Sequence, residues 1–142
     1  MAQHISRSIH HVVAWLLVAG LAVQVFLAGL GVFAGASNFA THRDTGYLLQ
    51  ILPFLLFITA AVGRLGRRQV IFAAVIFGLF FVQSILLLFR DSTPAVTALH
   101  PVNGFIITFL AVQVAREAWG RWRSASTSPS APSPVAAESP GS

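Results

Sequence analysis

The sequence predicts an all-α integral membrane protein, a four-helix bundle built from two repeated helical hairpins with both ends in the cytoplasm. Three observations lead there. Of 142 residues 56% are apolar and only 9% charged, whereas a soluble domain carries about 25% charged residues to clothe its surface. Four apolar runs approach or exceed the roughly 20 residues that a helix needs to cross a hydrocarbon core of about 30 Å. Short connections make those runs antiparallel neighbours. The same composition excludes general disorder, which needs low hydrophobicity and high charge. Nucleic acid is excluded as a partner as well: the net charge of +5 comes from arginines scattered at the ends of apolar runs, not from a clustered basic stripe. With no Cys, the chain has no disulfide, thiolate nucleophile, iron–sulfur cluster or covalent c-type haem attachment.

Taken in order, residues 1–11 are a cytoplasmic N-terminus and residues 12–120 the transmembrane domain. The first span, about 12–35, is uncharged from Val12 to Phe33. Arg7 before it and Ala34-Gly35-Ala36 after it resemble a signal peptide, but the run outlasts a signal h-region of about 7–15 residues, so an uncleaved span is expected. The second span, about 41–63, opens near Thr41 and puts His42 in its first turn. The third, about 69–89, follows Arg64, Arg67 and Arg68, and the fourth, about 94–118, follows Thr93-Pro94. Residues 121–142 read as a disordered cytoplasmic tail rich in Ser, Pro and Ala. Seven arginines (Arg7, Arg64, Arg67, Arg68, Arg116, Arg121, Arg123) then lie inside and two (Arg43, Arg90) outside, the bias that fixes both ends inside. Trp15, Trp119 and Trp122 fall at the inner interface, where amphipathic rings are comfortable. The expected location is the bacterial cytoplasmic membrane, multi-pass, with the lipid bilayer as first partner.

Sliding the sequence on itself by 58 residues pairs His42 with His100 and Gly46 with Gly104, and leaves Gln24 and Gln83 one residue out of register. The first and second spans therefore read as a hairpin repeated in the third and fourth. In a parallel repeat, equivalent positions share a depth. His42 and His100 are each followed four residues later by a glycine on the same helix face, where the missing Cβ lets a flat ligand approach. The pattern points to one b-type haem between the second and fourth spans, with His42 and His100 as its axial metal ligands. Gly46 and Gly104 would make room for the ring edge, and Arg43 and Arg90 would meet the propionates. A position near a helix N-terminus keeps each imidazole neutral. Asn38, Thr41 or a carbonyl freed by a kink at Pro101 is expected to hold the second ring nitrogen.

His4, His10 and His11 cluster at the inner start of the first span, where no other span offers a histidine, so they are assigned no site and one haem is the most expected. Gln24 and Gln83 are expected to face the bundle interior, since a buried amide needs partners. Gly20, Ala28, Gly31 and Gly35 form a small-residue stripe beside Gln24 for close helix approach. Glu117 is expected to pair with Arg121 one turn on. No carboxylate lies within a span, which argues against a proton-coupled transporter, and no motif assigns a catalytic residue. Electron transfer or haem handling follows as the expected role, with a quinol or a redox partner protein. The alternatives are a cofactor-free scaffold that forms a homo-oligomer through its small-residue faces, and a small-molecule carrier with a cavity around Gln24 and Gln83.

The stretches Ala40-Thr-His42-Arg43-Asp-Thr-Gly46-Tyr-Leu-Leu and Ala98-Leu-His100-Pro-Val-Asn-Gly104-Phe-Ile resemble the paired haem-ligand helices of one four-helix half of the haem A synthase family. The chain is also similar to a group of small uncharacterised bacterial four-span membrane proteins. The first resemblance implies a bis-histidine b-type haem held by His42 and His100. Phe39 stands one turn before His42, where that family carries a glutamate, and there is no second half, which implies binding without the synthase's catalysis.

Overall fold

The structure is a computed structural model and describes residues 2–127. Helix α1 runs from Ala2 to Phe33. A 3-10 turn, Ala36–Asn38, leads into α2, Phe39–Leu49, and then α3, Ile51–Val62. Helix α4, Arg67–Leu86, ends in a second 3-10 turn, Leu87–Phe89. The short α5, Pro94–Thr97, precedes α6, Leu99–Thr127. There is no strand among the described residues. Four rods result, over Gln3–Phe33, Ala36–Val62, Arg67–Phe89 and Pro94–Ser124, each long and apolar enough to cross a membrane.

The two interrupted rods break for one reason. α2 ends at Leu49, four residues before Pro53, and α5 ends at Thr97, four residues before Pro101. A proline lacks the N–H that would bond the carbonyl four residues back, and its ring crowds that carbonyl. The break near Pro101 is expected from the sequence; Pro53 produces a matching one inside the second span. At the other end of the bundle, α3 and α4 join through a tight turn in which Arg64 (φ 48°) and Gly66 (φ 92°) both take left-handed backbone conformations.

α1 packs on α3 and α6, and α4 packs on the same two, so the rods form a square with α2 against α1. Leu17, Leu56, Ile76 and Val114 are fully buried on the axis, and Ala14, Ala60, Ala73, Ala111 and Ala115 fill the closest approaches. They recur at three- and four-residue steps along each helix, the spacing of one helical face. The opposite faces present Val25, Phe26, Phe105 and Phe109 outward, which suits lipid. Because lipid is as apolar as leucine, close packing and interior hydrogen bonds hold such a bundle together, not expulsion of water.

Residues 2–11, expected as the cytoplasmic N-terminus, form the first turns of α1. The expected tail from residue 121 is helical as far as Thr127, since no helix breaker occurs before Pro129. Residues 128–142 lie outside the described residues.

Candidate cofactor site

His42 is the fourth residue of α2 and His100 the second of α6, so both stand in the opening turn of a helix. The fold brings the two rings together across the bundle, with centroids 6.2 Å apart and planes at 71°. Each ring is anchored in the same way. Nδ1 of His42 donates to the main-chain carbonyl of Gln24 at 3.0 Å, and Nδ1 of His100 donates to that of Gln83 at 3.1 Å. A carbonyl oxygen only accepts, so both Nδ1 atoms carry a proton, and in the neutral ring it is Nε2 that has the lone pair. Neither Nε2 has a hydrogen bond among the described residues.

The glutamine side chains brace the same turns. Gln24 meets the Thr45 hydroxyl at 2.7 Å, and Gln83 Oε1 accepts from Asn103 Nδ2 at 2.6 Å. Thr45 and Asn103 each stand three residues after their histidine. With its amide turned over, Gln24 Oε1 accepts from the Gly46 N–H at 2.9 Å and Nε2 donates to the His42 carbonyl at 3.0 Å. In that orientation the amide nitrogen also lies 2.9 Å from Nδ1 of His42. The main-chain carbonyl decides the tautomer nonetheless, because it has no donor form and the same arrangement recurs at His100.

Gly46 and Gly104 make room for these amides: a Cβ on Gly46 would lie 3.5 Å from Gln24 Oε1, and one on Gly104 would lie 3.6 Å from Gln83 Nε2. The expectation that the two glycines clear space for a ring edge thus meets a different neighbour on that side. Arg43 and Arg90 are not drawn to the histidines. They pair with Asp44 at 2.9 Å and Asp91 at 3.2 Å on the exposed surface. Asn38 donates to the Gly35 carbonyl and the Thr41 carbonyl accepts from Thr45, so neither holds an imidazole. Phe39 presents an edge to His42, with centroids 6.5 Å apart, and packs over Gly31, where a Cβ would lie 2.6 Å from the Phe39 ring. Gly20 likewise lies under Leu49, so two members of the small-residue stripe seat α2.

A groove of about 370 Å³ between α1 and the α2–α3 rod reaches Gln24 and Thr45 but not Gln83. No set of three or more His, Cys, Asp or Glu side chains able to hold a metal ion occurs among the described residues.

The sequence reading missed a second polar centre at the end of the bundle where the start of α1 meets the last turns of α6. His10 is fully buried. Its Nε2 donates to Gln69 Oε1 at 3.2 Å and its Nδ1 lies 3.1 Å from the Thr59 hydroxyl. Gln69 Nε2 donates to Glu117 at 2.8 Å, and Glu117 pairs with Arg68 at 2.6 Å and, as expected, with Arg121 at 3.5 Å. Ser6 donates to the Thr59 carbonyl at 3.0 Å. The signal was present: Ser6, His10, Leu17 and Leu21 fall on one helical stripe, so His10 shares the buried face of α1. His11 turns instead to the α6 tryptophans, stacking on Trp122 with ring centroids 5.9 Å apart.

Residues 24–90 match the model of a family of unknown function, DUF6220. The chain is similar to that family over this stretch, which holds His42 and both glutamines but stops short of His100. No curated protein and no solved structure matches the chain.

Proposed function

We propose that the bundle holds one b-type haem between its second and fourth spans, through His42 and His100, for electron transfer or haem handling in the bacterial cytoplasmic membrane. The single observation carrying this reading is the matched pair of imidazoles, each fixed by a main-chain carbonyl so that its Nε2 lone pair is kept free. Metal-ligating histidines almost always donate their other ring N–H to a carbonyl, carboxylate or water in this way. The spacing suits a shared metal. With a metal–nitrogen bond of about 2.0 Å, and about 1.1 Å more from nitrogen to ring centre, two imidazoles on opposite sides of one ion have centres about 6.2 Å apart, against 6.2 Å here. The donor set argues for a macrocycle, since two imidazoles alone leave the remaining coordination positions of a bare ion to be filled from elsewhere.

Haem iron held by two imidazoles supplies a one-electron couple. The chain's own residues do the rest. The Gln24 and Gln83 carbonyls set ring orientation and raise imidazole basicity, while the glutamine amides, Thr45 and Asn103 fix the turns that carry the histidines. Arg43 and Arg90 would serve propionates by leaving Asp44 and Asp91, exposed pairs of little individual strength. Both hairpins make the same Gln–His and Gln–Gly contacts, which supports reading them as a repeat. The arginine bias supports an orientation with both ends in the cytoplasm and the histidines toward the outer face. A quinol or a redox partner protein would exchange the electron.

The deciding experiment is expression in a haem-replete host, purification, and reduced-minus-oxidised spectroscopy. The expected result is a Soret band and a six-coordinate low-spin signature, both lost in the H42A/H100A double variant. A purified protein without a Soret band, or a band that survives the double substitution, overturns the proposal.

A further inference from the structure

At the end of the bundle opposite the two histidines, a cavity of about 320 Å³ opens between the start of α1, the α3–α4 turn and the last turns of α6, lined by His4, Arg7, Ser8, Arg64, Arg121 and Trp122. We propose that this cavity binds the phosphate-bearing headgroup of an anionic phospholipid.

Three guanidinium side chains line one space that no carboxylate lines. Glu117, the acidic residue of this end among the described residues, is already held by Arg68 at 2.6 Å and by Gln69 at 2.8 Å, and it meets Arg121 only at 3.5 Å. The cavity therefore keeps an excess of positive charge. Arg7 is positioned by one bond, from Nε to the Gly63 carbonyl at 3.2 Å, which leaves its terminal N–H groups available. Arg64 has no side-chain ion pair or hydrogen bond among the described residues, its backbone N–H alone donating to the Ala61 carbonyl. It also takes a left-handed backbone conformation, φ 48°, which is costly for a residue with a side chain. Uncommon backbone at a cavity wall is a recurrent mark of a ligand site. Planar guanidinium forks match phosphate oxygens in pairs, and the Ser8 hydroxyl adds a further donor.

The location selects a lipid over a soluble anion. The cavity opens where four apolar rods end, and Trp122 on its wall with Trp119 beside it are the residues that prefer a headgroup region. Basic pockets between transmembrane helices are known to take anionic headgroups. The inference is independent of the haem proposal, because no residue is shared.

The test uses the full chain in neutral detergent, with thermal unfolding followed as phosphatidylglycerol or phosphatidylcholine is added in mixed micelles. Phosphatidylglycerol should stabilise saturably and phosphatidylcholine should not. Arg64→Gln should weaken the half-saturating phosphatidylglycerol fraction about fivefold, and R7Q/R64Q/R121Q should abolish the preference. Arg116→Gln, which removes the same charge away from the cavity, should change it less than about twofold. Absence of a preference for phosphatidylglycerol overturns the proposal. So does an equal effect of Arg116→Gln and Arg64→Gln, which would mean diffuse attraction, or saturation by inorganic phosphate alone at comparable concentration, which would mean a soluble anion. Should the triple variant not fold, the comparison of the two single variants decides.

Discussion

Both ends of the bundle gather histidine, yet they use it in opposite ways. Near the termini, both ring nitrogens of His10 are engaged, by Thr59 and by Gln69, and the chain of contacts closes on Glu117, Arg68 and Arg121. That network ties α1, α3, α4 and α6 together and leaves the imidazole no capacity for a ligand. At the other end each imidazole spends one nitrogen on a carbonyl and has no hydrogen bond at the other among the described residues, with the two ring centroids 6.2 Å apart. A closed network marks His10 as structural, and the open pair is the geometry on which the haem proposal rests. The sequence separates the histidines by the repeat alone; hydrogen-bond accounting adds a second, independent distinction.

The comparison is broken most sharply by removing either open imidazole. His42→Ala or His100→Ala alone should remove more than about 90% of the Soret absorbance, since one axial ligand is worth several kcal/mol of cofactor retention, while helix content by circular dichroism is unchanged. His10→Ala should do the reverse. It takes a hydrogen bond from each of the buried partners, Thr59 and Gln69, and opens a cavity, so the stability of the bundle in detergent should fall by about 2–4 kcal/mol with no change in spectral line shape. If His10→Ala abolished haem and His42→Ala destabilised the bundle instead, the assignment of the two ends would be inverted.

Smaller effects sharpen the end that carries His42 and His100. Gly31→Ala puts a Cβ 2.6 Å from the Phe39 ring and should cost about 1–3 kcal/mol by overpacking, measured by thermal unfolding in detergent. Gly104→Ala meets Gln83 only at 3.6 Å, an ordinary contact, so stability should change by less than about 1 kcal/mol. A large loss of haem in Gly104→Ala without loss of stability would restore the ring-edge role that the spacing suggests. Gln83→Leu should cost least among the interior changes, about 1 kcal/mol or less, because Asn103 keeps its bond to the Leu79 carbonyl and His100 keeps the main-chain carbonyl of residue 83.

Much of this was legible before any coordinates. Run length and charge gave four spanning rods and no strand. The 58-residue offset singled out His42 and His100, and the fold brings those rings together. Gln24 and Gln83 were expected to turn inward; both are half-buried and bond to the neighbouring rod, at Thr45 and Asn103. The partners of the imidazoles were not legible: Asn38 and Thr41 are adjacent in sequence, whereas the carbonyls that hold the rings belong to the preceding rod. Nor was the burial of His10, or the break before Pro53.

The lengths and order of the apolar runs determined that this chain forms apolar helices and how many, because each span satisfies its own backbone and needs only length and hydrophobicity to do so. Tertiary structure decided which way each helix is turned. In a soluble bundle the polar face announces the outside, but here lipid and core are equally apolar, so periodicity scarcely marks the inner face. Only packing of one rod against another fixed the rotation that closes the contacts of His10 and leaves those of His42 and His100 open.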